Sequence, residues 1–170
     1  MAAPLASAVE LKNHLQQTVP PDVSALALAG ASGAVRSYCG WDLLRETRTF
    51  VVEGDGSVIL TLPTLHLVTI NAIRVGGLTV DPAGIPQPIP HERGQLVWAT
   101  SWPVGSLVEI DAVHGYETAP DVVKLVTLTL AARIVTNPDD AKSASVGSVS
   151  RTYDTTMTAL DMRLLDPYRL

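Results

Sequence analysis

The sequence predicts an α+β protein: a small helical bundle with an inserted antiparallel β unit and an extended C-terminal arm. Three observations carry this. Apolar residues recur with a helical period before Trp41 and again after Pro120. Between them, short β-prone runs are separated by Gly-rich turns. The chain then ends in a polar link, one short alternating run and one short helical stretch. The expected organisation is a body over 1–140 and an arm over 141–170. The body holds helices over 5–17, 22–39 and 120–136 and the β insertion over 48–114.

The first helix is read from Leu5, Ala8, Val9, Leu11 and Leu15, and Pro20-Pro21 ends it. Asp22 is the expected N-cap of the second. Its stripe is Val23, Leu26, Ala27, Gly30, Ala31, Ala34, Val35 and Tyr38, with Gly40 as the C-cap. So many small residues would let a neighbouring helix approach closely.

In the middle, Arg48 to Glu53 and Ser57 to Leu62 flank Gly54-Asp55-Gly56 and read as one hairpin. Val68 to Val75 and Leu78 to Val80 flank Gly76-Gly77, a strong two-residue turn signal. Pro82 to Pro90 reads as a loop. Gln95 to Ala99 and Leu107 to Val113 read as two more strands around Trp102-Pro103-Val104-Gly105.

Pro120 and Asp121 suit the start of the third helix. Its apolar residues, from Val122 to Val135, cover nearly the whole circumference. The expectation is a helix buried on most sides, with Val122, Val126, Leu130 and Ile134 packing in the core or against another subunit. Asn137-Pro138 ends it. Val146 to Tyr153 reads as a lone strand, and Thr158 to Asp166 as the last helix.

Composition narrows the function. Of 170 residues, 46% are hydrophobic and only 17% charged, ample for a core and consistent with surface that oligomerisation covers. The net charge of −5 disfavours a protein that grips nucleic acid, yet an acidic wall lets a duplex slide past. Cys39 is the only cysteine, so no intrachain disulfide forms and a buried thiol is expected. The opening residues lack a basic region and a long apolar run. The expectation is no signal peptide, no membrane span and assembly in a cytoplasm.

No catalytic, cofactor or metal constellation emerges. His14, His66, His91 and His114 lack partners at zinc spacing. Gly30-Ala31-Ser32-Gly33 lacks the nucleophile-elbow pattern, and no phosphate-binding loop is present. Glu53 and Asp55 are too few acids for a calcium loop. Two enzyme or ligand readings remain as alternatives. One is a hydrolase using His114 with Asp111 or Asp121. The other is a small β-type binding module using Trp98 and Trp102.

The ordered set of segments carries a resemblance. Ala34-Val35-Arg36-Ser37-Tyr38-Cys39-Gly40-Trp41 closes the second helix, and Leu60-Thr61-Leu62-Pro63-Thr64-Leu65-His66-Leu67-Val68 follows a strand. Val113-His114-Gly115-Tyr116-Glu117-Thr118-Ala119-Pro120-Asp121-Val122 leads into the apolar helix. Val146-Gly147-Ser148-Val149-Ser150-Arg151-Thr152-Tyr153 precedes the terminal Leu164-Leu165-Asp166-Pro167-Tyr168-Arg169-Leu170. From about Leu5 to Leu170 the chain resembles the head-to-tail adaptor (connector) proteins of long-tailed bacteriophages, the siphophages of actinobacteria.

The resemblance implies a non-enzymatic virion neck protein at the head–tail junction. It would form a dodecameric ring beneath the portal, with a stopper or tail-completion protein docking below and double-stranded DNA passing through its channel. A tail terminator or stopper is the nearest alternative within virions. The resemblance also implies that the C-terminal segment reaches the portal. The residues placed in that contact, with the portal or a neighbouring subunit, are Val146, Val149, Tyr153, Leu160, Leu164, Leu165 and Tyr168.

Overall fold

The computed structural model describes residues 2–80, 94–98, 101–137, 143–146, 149–152 and 157–170. The expected loop Pro82–Pro90, His91, Ala99, most of the polar link and Tyr153 lie outside them. The elements, in order, are α1 (Ala8–Leu15), α2 (Pro21–Cys39), β1 (Glu46–Glu53), β2 (Ile59–Thr61), β3 (Leu67–Val75) and β4 (Leu78–Val80). There follow β5 (Gln95–Val97), β6 (Leu107–His114), α3 (Asp121–Thr136), β7 (Ser143–Val146), β8 (Val149–Thr152) and α4 (Ala159–Leu165). The fold is mixed α+β. It divides into a helical unit, 1–40 with 118–169, and a β unit, 41–117 with Leu170.

In the helical unit, α1 starts with a reciprocal cap. The Ser7 hydroxyl accepts from the Glu10 N–H at 3.2 Å, and the Glu10 carboxylate accepts from the Ser7 N–H at 2.7 Å. Asp22 is not the cap of α2. Pro20 holds that position and Pro21 the first turn, without a side-chain cap. The fixed φ of Pro21, and its missing N–H, suit the first turn where no intrahelical partner exists.

The buried stripe of α2 is Ser24, Ala27, Leu28, Ala31, Ser32, Val35 and Cys39. It is rotated from the expected one, leaving Val23 and Leu26 outside. Alanine and glycine set the phase weakly, and the buried serines find partners. Ser24 donates to the Pro21 carbonyl, and Ser32 accepts from the Leu5 N–H at 3.0 Å. That bond ties the N-terminal segment along α2, where Leu5 and Ala6 are buried.

The α3 helix buries Val123, Val126, Thr127, Leu130 and Ala131. Val122 is half-buried, while Leu125 and Ile134 are exposed. So α3 packs one broad face inward and is at least partly covered around most of its circumference, with Asp121, Leu125, Ile134 and Thr136 exposed. Its apolar reverse faces outward, partly beside Gly30, where an added Cβ would meet Ile134 Cδ1 at 3.6 Å.

The β unit has a four-stranded antiparallel sheet in the order β1-β6-β3-β4 and a separate β2-β5 ribbon. Gly76-Gly77 closes the β3-β4 hairpin with positive φ at both glycines, as a tight turn of this hand requires. The other expected hairpin, over Gly54-Asp55-Gly56, is corrected. β1 does not pair with β2, nor β5 with β6.

The two turn segments instead pair with each other. Gly54 N–H donates to Ser106 O, Gly105 N–H to Gly54 O, Gly56 N–H to Trp102 O and Trp102 N–H to Ser57 O. Long-range ladders satisfy more backbone and bury Trp102 completely. The core joins Phe50, Leu60, Leu62, Leu67, Ile73, Leu96, Trp102, Val108, Ile110 and Ala112.

At the C-terminus, Val149–Thr152 is not a lone strand, because β7 and β8 pair antiparallel from Ser143↔Thr152 to Val146↔Val149. Thr158 caps α4 reciprocally with Asp161.

The helix faces make a contrast that can be tested. Val126→Asp places an unpaired charge in the core and is expected to cost about 3 kcal/mol or more, abolishing soluble expression. Ile134→Asp, at a position 42% exposed, is expected to fold with near-native circular dichroism and melting.

Candidate functional site

Two polar centres, one in each unit, hold the elements that carry the predicted residues. In the β unit, β6 ends at His114, which is fully buried. Its Nε2 donates to Glu46 Oε1 and its Nδ1 accepts from Thr64 Oγ1, both at 3.2 Å. The rings of Phe50 and Trp41 lie beside it, with centroids 4.9 and 6.3 Å away. Burial lowers its pKa, outweighing the opposing attraction of Glu46, so the ring is held neutral.

The next residue, Gly115, has φ +89°. A Cβ there would stand 2.2 Å from Leu44 O. Leu44 and Tyr116 form a parallel bridge. Arg45 N–H donates to Tyr116 O and Tyr116 N–H to Leu43 O, each at 2.8 Å. This clasp closes the β unit where the chain enters and leaves it.

The hydrolase reading required an open His114 beside an acid. Asp111, three residues earlier on β6, lies on the opposite sheet face by strand alternation. It accepts from Thr49 at 2.5 Å and from Arg74 at 3.2 Å. The Thr49 hydrogen bond lowers its pKa, and the Arg74 charge and hydrogen bond lower it further, against an opposing desolvation. His114 has no open face from which to act as a base. The ligand-platform reading required exposed indoles, yet Trp102 is fully buried and packs on Trp98 with centroids 4.5 Å apart.

In the helical unit, Asp161 on α4 is buried and accepts from Arg133 on α3 at 2.7 Å. It also accepts from the Thr158 N–H and hydroxyl. Burial alone would raise its pKa, but these hydrogen bonds outweigh burial and hold it below the usual carboxylate range. Tyr38 on α2 donates to Asp166 at 2.6 Å. Lys124 on α3 reaches Glu10 on α1 at 3.2 Å. Burial pushes the Cys39 thiol up to about 11, leaving it protonated.

The predicted contact residues separate into groups. Leu165 is buried within the helical unit, and Leu164 and Tyr168 are half-buried. Leu160 is 65% exposed. Val146 and Val149 face each other as the last pair of the β7-β8 ladder. Of the predicted packing residues, Val126 and Leu130 are in the core.

The sequence reading missed an apolar groove of about 520 Å³ between the N-terminal segment with α1 and the first half of α2. It is lined by Pro4, Ala6, Val9, Val19, Ser24 and Leu28, among others. The available signal was Ser7-Ala8-Val9-Glu10, a capping box that fixes where α1 begins and so where Val9 points. Among the described residues, no group of three or more His, Cys, Asp or Glu could hold a metal ion. Among them too, no helix is long and apolar enough to cross a membrane.

No family model matches this sequence, and no curated protein matches it. Solved structures do match. A chain from the neck of an empty gene transfer agent (GTA) particle, computed with C6 symmetry, has a TM-score of 0.65 and 19% identity. The match covers 97% of this chain and 89% of that one. A chain from the virion of a native GTA particle has a TM-score of 0.68 and 18% identity, over 99% and 92% of the two chains. The fold is that of a GTA particle component. The likeness runs through both units and extends over nearly the whole of each chain compared.

Two predictions follow from the polar centres. Arg133→Ala leaves the Asp161 carboxylate buried without its cation and is expected to cost about 3 kcal/mol, read as a lower denaturant midpoint. The pH dependence has a definite sign. The folded pKa of His114 lies below its ordinary 6.5, so the unfolded chain binds the extra proton first. Stability therefore falls as pH drops below about 6.5. Asp161, also lowered, adds a further loss as pH falls below about 3.8. His114→Gln is expected to be less stable at neutral pH but to lose the first part of that slope in urea titrations.

Proposed function

We propose that this chain is a structural neck protein of a phage-like particle, a head-to-tail adaptor that acts as a ring beneath the portal. The observation that carries the reading is whole-chain: the fold matches a GTA neck chain across both units. The resemblance of the ordered segments to siphophage adaptors of actinobacteria points the same way. So does a chain of net charge −5, whose acidic balance suits a conduit for DNA rather than a grip on it.

In this reading the subunits associate head to tail into a dodecameric ring, each using two different patches. The portal sits above and a stopper or tail-completion protein below, and duplex DNA passes through without specific contact. The protein works at the head–tail junction and performs no catalysis. The segment 141–170 is the proposed contact with the portal or the next subunit. Its exposed Leu160 and the β7-β8 hairpin are the parts offered to a partner. A two-stranded hairpin is marginal alone and gains backbone hydrogen bonds by adding to another sheet edge. Leu165 then anchors the segment to its own helical unit.

Light scattering and negative-stain imaging, with and without portal, test the proposal. Rings that bind portal-bearing heads are the expected result, and a monomer that ignores the portal overturns it. Leu160→Asp is expected to keep the native melting temperature while weakening attachment to portal-bearing heads. In a shift assay at physiological salt, duplex binding is expected at the weak end of the roughly 10⁻⁴ to 10⁻⁶ M non-specific range, or weaker. Tight, salt-sensitive binding would overturn the passive-conduit role.

A further inference from the structure

We infer that the β7-β8 ribbon of one copy adds to the β1 edge of the sheet in a neighbouring copy, joining one subunit to the next. The inference rests on the ring reading and adds which strand receives the C-terminal segment.

An open four-stranded sheet has two edges, and this one treats them differently. At one edge, β4 has three residues, and a short edge is one of the ways a sheet avoids pairing with other chains. At the other, β1 has eight. Its register with β6 runs without a shift from Glu46↔His114 to Glu53↔Leu107, whereas β3 meets β6 through two irregularities. β1 contains no Pro, Gly or Lys, and Thr47, Thr49, Phe50, Val51 and Val52 are strong strand formers. Among the described residues, no backbone–backbone hydrogen bond outside the β6 ladder involves Glu46–Glu53. The N–H and C=O groups of β1 that point away from β6 are therefore a template for another strand.

The same chain carries the complementary piece. β7 and β8 have four residues each and, among the described residues, pair only with each other. Such a ribbon has two open edges and is marginal by itself. A strand of four residues is roughly 13 Å long and fits within the roughly 27 Å of β1. In a single chain the sheet and the ribbon stay separate, so each lacks a partner. A second copy supplies both with the counterpart, through main-chain hydrogen bonds.

Charge agrees with this occupant. The chain carries 17 acidic and 12 basic side chains, so two copies repel in general. β1 has Glu46 and Glu53 against Arg48 and is net acidic, while 143–152 has Arg151 as its one ionisable residue. The two segments are opposite in sign. Each copy gives its ribbon and receives another on β1, which is the two-patch contact that closes into a ring by rotation.

The test uses the full chain, as a mixture of isotope-labelled and unlabelled subunits assembled on portal-bearing heads. The unlabelled copy carries a photo-crosslinking amino acid at Val51, which is 58% exposed, or at the exposed Thr47. The expected adduct joins β1 of the unlabelled chain to the segment 143–152 of a labelled one, and the same group at Leu78 on β4 gives none. Replacing 143–152 by a Gly-Ser segment of equal length is expected to keep the native melting temperature and lose the ring. Arg151→Glu is expected to keep it too and to raise several-fold the subunit concentration needed for half-maximal ring formation. Rings whose adducts lie within one chain, go to portal alone or do not form overturn the strand assignment and leave the ring reading standing. So do normal rings from the Gly-Ser variant. If the wild type forms no ring, the ring reading falls and this inference with it.

Discussion

The clasp at Leu43–Arg45 and Gly115–Tyr116 is the constraint on which the rest of the structure depends. The β unit is an insertion between α2 and α3, so its first and last strands must meet. Two backbone hydrogen bonds hold them there, Tyr116 N–H to Leu43 O and Arg45 N–H to Tyr116 O, which together make the parallel Leu44↔Tyr116 bridge. The bend needs a residue with positive φ and no side chain, and only glycine meets both demands at position 115. One residue earlier, the neutral His114 fills the end of the sheet with a ring whose two nitrogens are both used. A truncated side chain there would take from the buried Thr64 hydroxyl its acceptor inside the core.

The helical unit is assembled from segments remote in sequence, and its polar contacts do the joining. Glu10–Lys124 ties α1 to α3, Arg133–Asp161 ties α3 to α4, and Tyr38–Asp166 ties α2 to the turn after α4. Of these the buried Asp161 carries most weight, since its carboxylate would be costly without Arg133. The same unit leaves several large apolar side chains outside, among them Val9, Leu26, Leu125, Ile134 and Leu160. A fold whose core is complete, yet whose helices keep apolar residues outside, is suited to a life in contact with other chains. This agrees with its likeness to particle components and with a sequence only 17% charged.

Much of the fold was legible in the sequence. Helical and alternating periods placed all four helices and the β unit, because the two periods report which face of an element meets the core. Gly76-Gly77 specified a hairpin, and Gly40 a helix end, since positive φ is a local property that a glycine permits. Strand partners were not legible. Gly54-Asp55-Gly56 looked like a hairpin turn, yet β1 pairs with β6 and β2 with β5, because pairing is decided by which long-range ladder also buries Trp102 and Leu60.

The candidate surfaces divide in the same way. The sequence by itself determined that α3 is apolar around its circumference and that α2 is rich in small residues. Only the tertiary structure decided which sides face out. It turned Ser24 and Ser32 inward and Leu26 outward, because a serine hydroxyl with a backbone partner is stable in the core, while alanine sets no strong phase. It likewise buried Leu165 and left Leu160 outside, because the Thr158–Asp161 cap and the Arg133 ion pair set the rotation of α4. Composition and period are local properties of the chain. Exposure belongs to the packed whole, where partners far apart in sequence compete for the same interior space.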